Sequence, residues 1–380
     1  MGMKWPLEPE ERLMRQAWLS VLGPILWILL YPLGAFAQLR HHEISVADPP
    51  ARAGSSLPIR ISGQWPNTCT PAVLPVQVSG NAIDIRMRRL DQICGEAVTP
   101  YSFVVDPAQS AGGLSDGVYR VRLWLRSDGQ PDVLLAFRLL DVRSDATRPV
   151  QPEAGFWAPD SAGEFATSGT GVGFMVERQA ATLALTTNAY LQSGVSSWYL
   201  SAGALDLRTF RGDLLATAGG QALWSTYRDP DLIATVGVLE AEFLGAARAN
   251  FYFIRAAGEG LLDPIEVMPI SARRLNFALE TDGRSLAGRW SLVPAADAAL
   301  APAVFELRYD AARSTATTAI LTAASGEELR CELDTSRRDG PPPRCILLAA
   351  GNEIARFEQN GLGRLSGRAD TTPVLMLRVD

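Results

Sequence analysis

Apolar and polar residues alternate one by one through segment after segment of this chain. Tyr119, Val121, Leu123 and Leu125 interleave with Arg120, Arg122 and Arg126, broken only by Trp124 on the polar side. Leu57, Ile59 and Ile61 interleave with Pro58, Arg60 and Ser62, and Ile83, Ile85 and Met87 with Asp84, Arg86 and Arg88. A period of two puts one set of side chains on each face of a pleated strand, so these are strands with one face buried and one wet. Gly80-Asn81 and Asp128-Gly129 separate them as turns. No segment past residue 37 carries a helical stripe, and the fold class is read as all-β. Six or seven such strands between 38 and 145 fit an immunoglobulin-like β-sandwich.

The stretch 143–154, with two prolines and few apolar residues, reads as polar connection, and residues 146–154 are expected to be the linker itself. Beyond it come Gly155-Phe156-Trp157, a strand over Thr182–Thr187, a turn at Ser193-Gly194, and strands over Val236–Phe243 and Ala249–Arg255. A fainter copy of this order begins at Gly288-Arg289-Trp290 and continues through Phe305–Tyr309. Residues 155–272 and 273–380 are therefore either two related β domains or two halves of one barrel.

The N-terminus addresses compartment. Ala17–Ala37 contains no charge, follows Arg12 and Arg15, and ends in Ala35-Phe36-Ala37. A positive flank, an apolar core and small residues at the cleavage positions describe a signal peptide, residues 1–37. An uncleaved anchor is the alternative, because a run this long can span a bilayer. No Cys lies near the site, which excludes a lipid-anchored lipoprotein. Glu8, Glu10 and Glu11 precede a more compact segment opening at Met14, the expected start of translation. The chain is expected to work in the periplasm or outside the cell.

Composition removes several kinds of chemistry. Net charge is −6, and loss of residues 1–37 would leave it there. Such a surface argues against nucleic acid, whose phosphates need basic clusters. Lys4 is the only lysine, so no Schiff base or phosphate-loop lysine is expected past the leader. His41 and His42 are the only histidines, and a triad or histidine metal site would have to be built from that tail. No cofactor, metal site or catalytic residue is expected. Four cysteines allow three pairings. Cys69–Cys94 and Cys331–Cys345 are favoured, because each pair falls within one expected domain. Zinc is the competing reading, but close Cys spacing is absent.

The pattern Gly155-Phe156-Trp157, Gly171-Val172-Gly173-Phe174, Glu177-Arg178-Gln179, Tyr190, Gly194, Trp198-Tyr199 and Gly219-Gly220 resembles a module of exported proteins of Gram-negative bacteria. The segment Gly63-Gln64-Trp65-Pro66-Asn67-Thr68-Cys69-Thr70-Pro71 is similar to an N-terminal β-domain of related exported proteins. The resemblance implies export and fold, and no activity. Gly-x-Trp at the first strand of a barrel is also similar to lipocalins and avidins, over those three residues alone.

Several motifs are better read as structure. Gly113-Leu114-Ser115-Asp116-Gly117 has the nucleophile-elbow pattern, but a strand follows it where the elbow needs a helix. Gly169–Gly173 lacks the lysine of a phosphate cradle. Asp229-Pro230-Asp231 lacks calcium-loop spacing. Glu240 and Glu242 share a strand face, expected to be solvated, opposite Leu239, Ala241 and Phe243. Trp157, Tyr190, Trp198, Tyr199 and Trp224 either fill a barrel core or line a site for an apolar ligand, peptide or sugar. Trp198 is expected inward beside Trp157, with Tyr199 outward. The functional expectation is a non-enzymatic exported binding or scaffolding protein whose partner is a protein, peptide or glycan. It would touch membrane only through an uncleaved leader. The alternative is a hydrolase with a carboxylate site in the second domain.

Overall fold

The computed structural model describes residues 41–46, 51–90, 92–145, 147, 149–166, 171–275, 283–295, 300–334, 341–361 and 363–379. The expected leader and the Met14 start lie outside them. The regular secondary structure of the described residues is almost entirely β-strand, in two open sheets and two closed eight-stranded barrels.

One open sheet pairs β1 (His42–Val46), β2 (Ile59–Trp65) and β6 (Thr99–Val105). The other holds β3 (Ala72–Val73), β4 (Gln77–Ser79), β5 (Ala82–Arg88), β7 (Gly117–Arg126) and β8 (Val133–Val142). Ile44, Ile59, Ile61 and Trp65 of the first pack against Ile83, Ile85, Met87, Val121 and Leu123 of the second, so the pair is a sandwich with one core. The alternation of these strands is thus spent on a shared apolar layer. The β5–β7 pair is parallel. A short helix, α1 (Pro107–Ala111), precedes β7; Asp106 caps it by accepting the Ala108 N–H at 3.0 Å.

The first barrel runs through β9 (Gly155–Pro159), β10 (Gly173–Gln179), β11 (Thr182–Tyr190), β12 (Ser196–Asp206), β13 (Thr209–Ala218), β14 (Leu232–Gly245), β15 (Arg248–Ala256) and β16 (Ile265–Arg274). β16 pairs back onto β9 and closes it. Its interior holds Trp157, Phe174, Leu183, Leu185, Phe210, Phe243 and Phe251. Full closure leaves no exposed strand edge.

The second barrel comprises β17 (Gly288–Pro294), β18 (Ala303–Tyr309), β19 (Thr318–Thr322), β20 (Glu328–Glu332), β21 (Arg344–Ala349), β22 (Asn352–Asn360), β23 (Arg364–Ala369) and β24 (Thr372–Arg378). Trp290, Phe305, Leu307, Leu329, Leu347 and Phe357 fill it. The two readings of 155–380 thus resolve into two barrels. Both cysteine pairs form as disulfides, Cys69–Cys94 in sandwich loops and Cys331–Cys345 across paired strands of the second barrel.

The three bodies are joined by buried contacts. Val118, Phe137 and Leu139 of the sandwich pack on Val238, Tyr252 and Ile254 of the first barrel's outer wall. Between the barrels, the Glu153 carboxylate accepts the Gly363 N–H at 2.9 Å, and its own N–H bonds the Ala246 carbonyl at 2.8 Å. A Cβ at Gly361 would lie 2.1 Å from a Glu153 oxygen, so a side chain there would displace the Glu153 carboxylate. Val150, within the expected linker, is 2% exposed and belongs to the first barrel's core.

Candidate functional site

Strands of an up-and-down barrel alternate in direction, so every second connection falls at the same end. In the first barrel the connections 180–181, 207–208 and 246–247 are tight and share one end. The longer connections 191–195, 219–231 and 257–264 share the other. The five aromatic candidates divide between the core and this loop end.

Trp157 is 1% exposed and lies inside the barrel. Tyr190 and Trp198 are exposed on the outer wall near the loop end, and Trp224 stands on the 219–231 loop at 97% exposure. The expected orientation of the Trp198-Tyr199 pair is reversed. Tyr199 packs against the core while Trp198 faces outward. Register is the cause. Tyr199 sits opposite Thr187, which is 3% exposed and continues the inward series Leu183, Leu185; Trp198 sits opposite Asn188 on the outer face. A period of two makes adjacent residues opposite but does not say which of them is inside.

Around the outward aromatics lie further exposed apolar residues that no sequence motif marks. Leu191 and Val195 flank the 191–195 turn, and Leu223 and Tyr227 flank Trp224; all are exposed. Cross-strand rows extend the surface down the wall. Phe156, Met175, Thr186, Leu200 and Leu215 are successive partners across five strands. Ile233 pairs with Thr217 one row nearer the loops. The signal was present in the sequence: no charged residue occurs from Gln179 through Leu205, nor from Leu214 through Tyr227. An exposed hairpin without charges departs from the ordinary wet face of a strand and marks an interaction surface.

The paired carboxylates need a correction. Leu239, Ala241 and Phe243 do face the barrel core, but the opposite face is not solvated. Glu240 is 1% exposed beneath the sandwich, where its carboxylate accepts the Leu139 N–H at 2.5 Å and pairs with Arg211. Burial raises the Glu242 pKa against the opposing pull of an Asn250 hydrogen bond. Burial also raises the Tyr252 hydroxyl, with the nearby Glu242 charge adding to it. These groups belong to an interface between bodies. Arg208 reinforces it by pairing with Asp141 and, at 2.6 Å, with Asp116. Burial pushes the Asp116 carboxyl up, but hydrogen bonds from Ser144, Thr147 and Arg208 outweigh it and hold the pKa low.

Nor is the histidine pair a loose tail. His42 is 6% exposed in β1; Nδ1 lies 2.7 Å from the Tyr101 hydroxyl and Nε2 lies 2.8 Å from the Leu261 carbonyl. In the Gly113–Gly117 motif a helix precedes and a strand follows, the reverse of a nucleophile elbow, and Ser115 Oγ lies 3.1 Å from the Tyr119 hydroxyl. Of Gly169–Gly173, residues 169 and 170 lie outside the described residues. Asp229 and Asp231 serve their own loop, accepting from Tyr227 and pairing with Arg228. Among the described residues no group of three or more His, Cys, Asp or Glu is placed to hold a metal ion. A cleft of about 1090 Å³ separates the sandwich and first barrel from the second barrel's wall. Its charges include pairs already made, Arg208 with Asp116 and Arg356 with Glu353. No family model matches the chain, and no curated protein matches it.

Proposed function

We propose that the chain is a non-enzymatic exported binding protein acting in the periplasm or outside the cell. Its contact surface is the loop end and adjoining outer wall of the first barrel. The observation that carries this reading is the exposed group Tyr190, Trp198, Leu223, Trp224 and Tyr227 on two segments without charge, Gln179 through Leu205 and Leu214 through Tyr227. Trp and Tyr give large contact area at small entropic cost. The two disulfides are consistent with an oxidising compartment. The N-terminal sandwich, read as immunoglobulin-like, packs on the first barrel's outer wall through Val118, Phe137 and Leu139. The resemblance to exported proteins of Gram-negative bacteria points the same way. The alternative, a hydrolase with a carboxylate-based site in the second domain, would need carboxylates other than Glu240, which is 1% exposed under the sandwich.

Photo-reactive residues placed at positions 224 and 190 in the exporting cell test this reading. Crosslinked adducts are expected from both, and none from position 306 on the second barrel. Absence of adducts from 224 and 190 refutes the proposed surface.

A further inference from the structure

Arg138 stands where a sheet keeps its apolar side chains. Ala136, Leu140 and Val142 share its face of β8 and belong to the sandwich core, while Phe137 and Leu139 on the other face pack on the first barrel. Its partner across the ladder, Val121, is also core. The Arg138 guanidinium makes no hydrogen bond or ion pair among the described residues, and its nitrogens are not sealed from solvent. An inward charge can serve to blunt an open strand edge. The edge of β8 needs no such device, because the first barrel covers it and Glu240 takes the Leu139 N–H.

Arg138 opens onto a cavity of about 540 Å³, a volume within the range of small-molecule sites. β1 and β8 are each the last strand of their sheet, and residues 43–46 of one and 138–141 of the other line the cavity. Asp206 and Thr209 of the first barrel line it as well, beside the tight 207–208 connection and away from the loop end. Among the described residues five charged side chains line it, and three of them satisfy one another. Arg143 pairs with Asp206 at 2.6 Å and with Asp141 at 3.4 Å, and Asp141 also takes Arg208. Arg138 and Glu43 are left over, one charge of each sign. Burial lowers the Arg138 pKa and the Glu43 charge opposes the fall, so the two lie near each other, yet no ion pair closes between them.

The edge of β1 adds backbone groups. The Gln64 N–H bonds the His41 carbonyl at 3.0 Å. The one-to-one register of β1 with β2 then directs the N–H and C=O of Glu43 and Ser45 toward β2, and those of Ile44 and Val46 away from it. The groups that point away have no partner among the described residues. Such an edge pairs with an added extended chain.

We propose that this cavity binds a short peptide in zwitterionic form, its carboxylate on Arg138, its ammonium on Glu43 and its backbone along the free edge of β1. The four β1 residues that line the cavity span about 13 Å, which suits a peptide of about two or three residues. A planar guanidinium matches a carboxylate with two parallel N–H donors. A carboxylate alone would meet Glu43 and a cation alone would meet Arg138, so a ligand with both charges is the one that satisfies both. The site is separate from the loop end of the first barrel, and neither depends on the other.

Calorimetric titration of the folded protein with trialanine tests the assignment. The wild type is expected to bind trialanine, and to bind trialanine amide about tenfold more weakly, since the charge-assisted bond to Arg138 is lost. R138Q should weaken trialanine to the same extent and leave the amide unchanged. E43Q should weaken trialanine and leave N-acetyltrialanine unchanged. R138M should melt with the wild type or above it, because it removes an inward charge that has no partner and keeps an apolar stem. No binding of trialanine by the wild type overturns the proposal, as does equal affinity for the amide or an unchanged affinity in R138Q. A melting temperature for R138M well below the wild type would make Arg138 part of the fold and refute the site. Alanine or acetate binding as tightly as trialanine would reduce the cavity to a carboxylate pocket and refute the peptide.

Discussion

Trp157 and Trp290 hold equivalent places in the two barrels. Each lies two residues past a glycine of positive φ, Gly155 at 129° and Gly288 at 136°. Each donates its indole N–H to the carbonyl four residues behind it, Glu153 at 3.2 Å and Leu286 at 2.8 Å. Each also faces a phenylalanine on the next strand and an arginine on the last, Phe174 and Arg274 in one barrel, Phe305 and Arg378 in the other. Those arginines reach back to the chain ahead of the first strand, Arg274 to the Ala154 carbonyl at 2.9 Å and Arg378 to Ser285 at 2.7 Å. The barrels are closed by the same device: a tryptophan plugs one end, and the last strand straps the first.

Both tryptophans are almost wholly buried, so truncation leaves a large cavity. Trp157→Ala and Trp290→Ala should each cost about 3–5 kcal/mol, read from urea unfolding. Arg378→Ala removes a strap at the surface and should cost about 1 kcal/mol. Equal small losses in all three variants would mean that the plug contributes little to closure.

Glu240 couples sandwich to barrel. Glu240→Ala leaves the buried Leu139 N–H without its acceptor and removes the ion-pair partner of the half-buried Arg211, and should cost about 1–3 kcal/mol. Glu240→Gln keeps an acceptor and should cost less. Wild-type unfolding followed by tryptophan fluorescence should show the sandwich and first barrel melting together. In Glu240→Ala the sandwich should become the earlier proteolytic target.

His42 predicts a pH dependence. Burial lowers its pKa below the ordinary 6.5, with the Leu261 carbonyl bond opposing and the neighbouring His41 adding to the fall. The unfolded chain then binds a proton more readily than the folded one, so this contribution is whole above pH 6.5 and is lost as pH falls below it. Glu242 has the opposite sign. Its raised pKa means that the folded state holds a proton longer, so its contribution is present at low pH and is lost as pH rises through the folded pKa. Melting temperature should decline on acidification from pH 7, and His42→Gln should flatten that decline. An unchanged slope in the variant would show that His42 does not control it.

The two disulfides should differ in reactivity. Cys331 and Cys345 are both fully buried inside the second barrel, whereas Cys69 and Cys94 lie half-buried in loops. Mild reductant under native conditions should open Cys69–Cys94 first, as thiol trapping with mass spectrometry would show, because exchange requires the attacking thiolate to reach a sulfur.

Much of this architecture could be read directly from the chain. Alternation at Ile83–Met87 and Tyr119–Leu125 marked strands because a half-buried strand needs a period of two. The cysteine pairs followed from proximity in sequence. The likeness of Gly155-Phe156-Trp157 to Gly288-Arg289-Trp290 marked two related starts. Boundaries within the barrels were less legible. Turns at Ala180 and Leu207 take positive φ without glycine or asparagine, so no punctuation announced them.

The sequence by itself determined that the chain is β-structured, because periodicity is local and needs no partner. It also determined which residues could oppose one another on a strand. Tertiary structure alone decided which face was inside. Trp198 and Tyr199 exchange roles according to a register set through the intervening hairpins, and Glu240 faces either water or the sandwich according to where a distant body docks. Burial is a property of what covers a residue, and for these residues the cover comes from far along the chain.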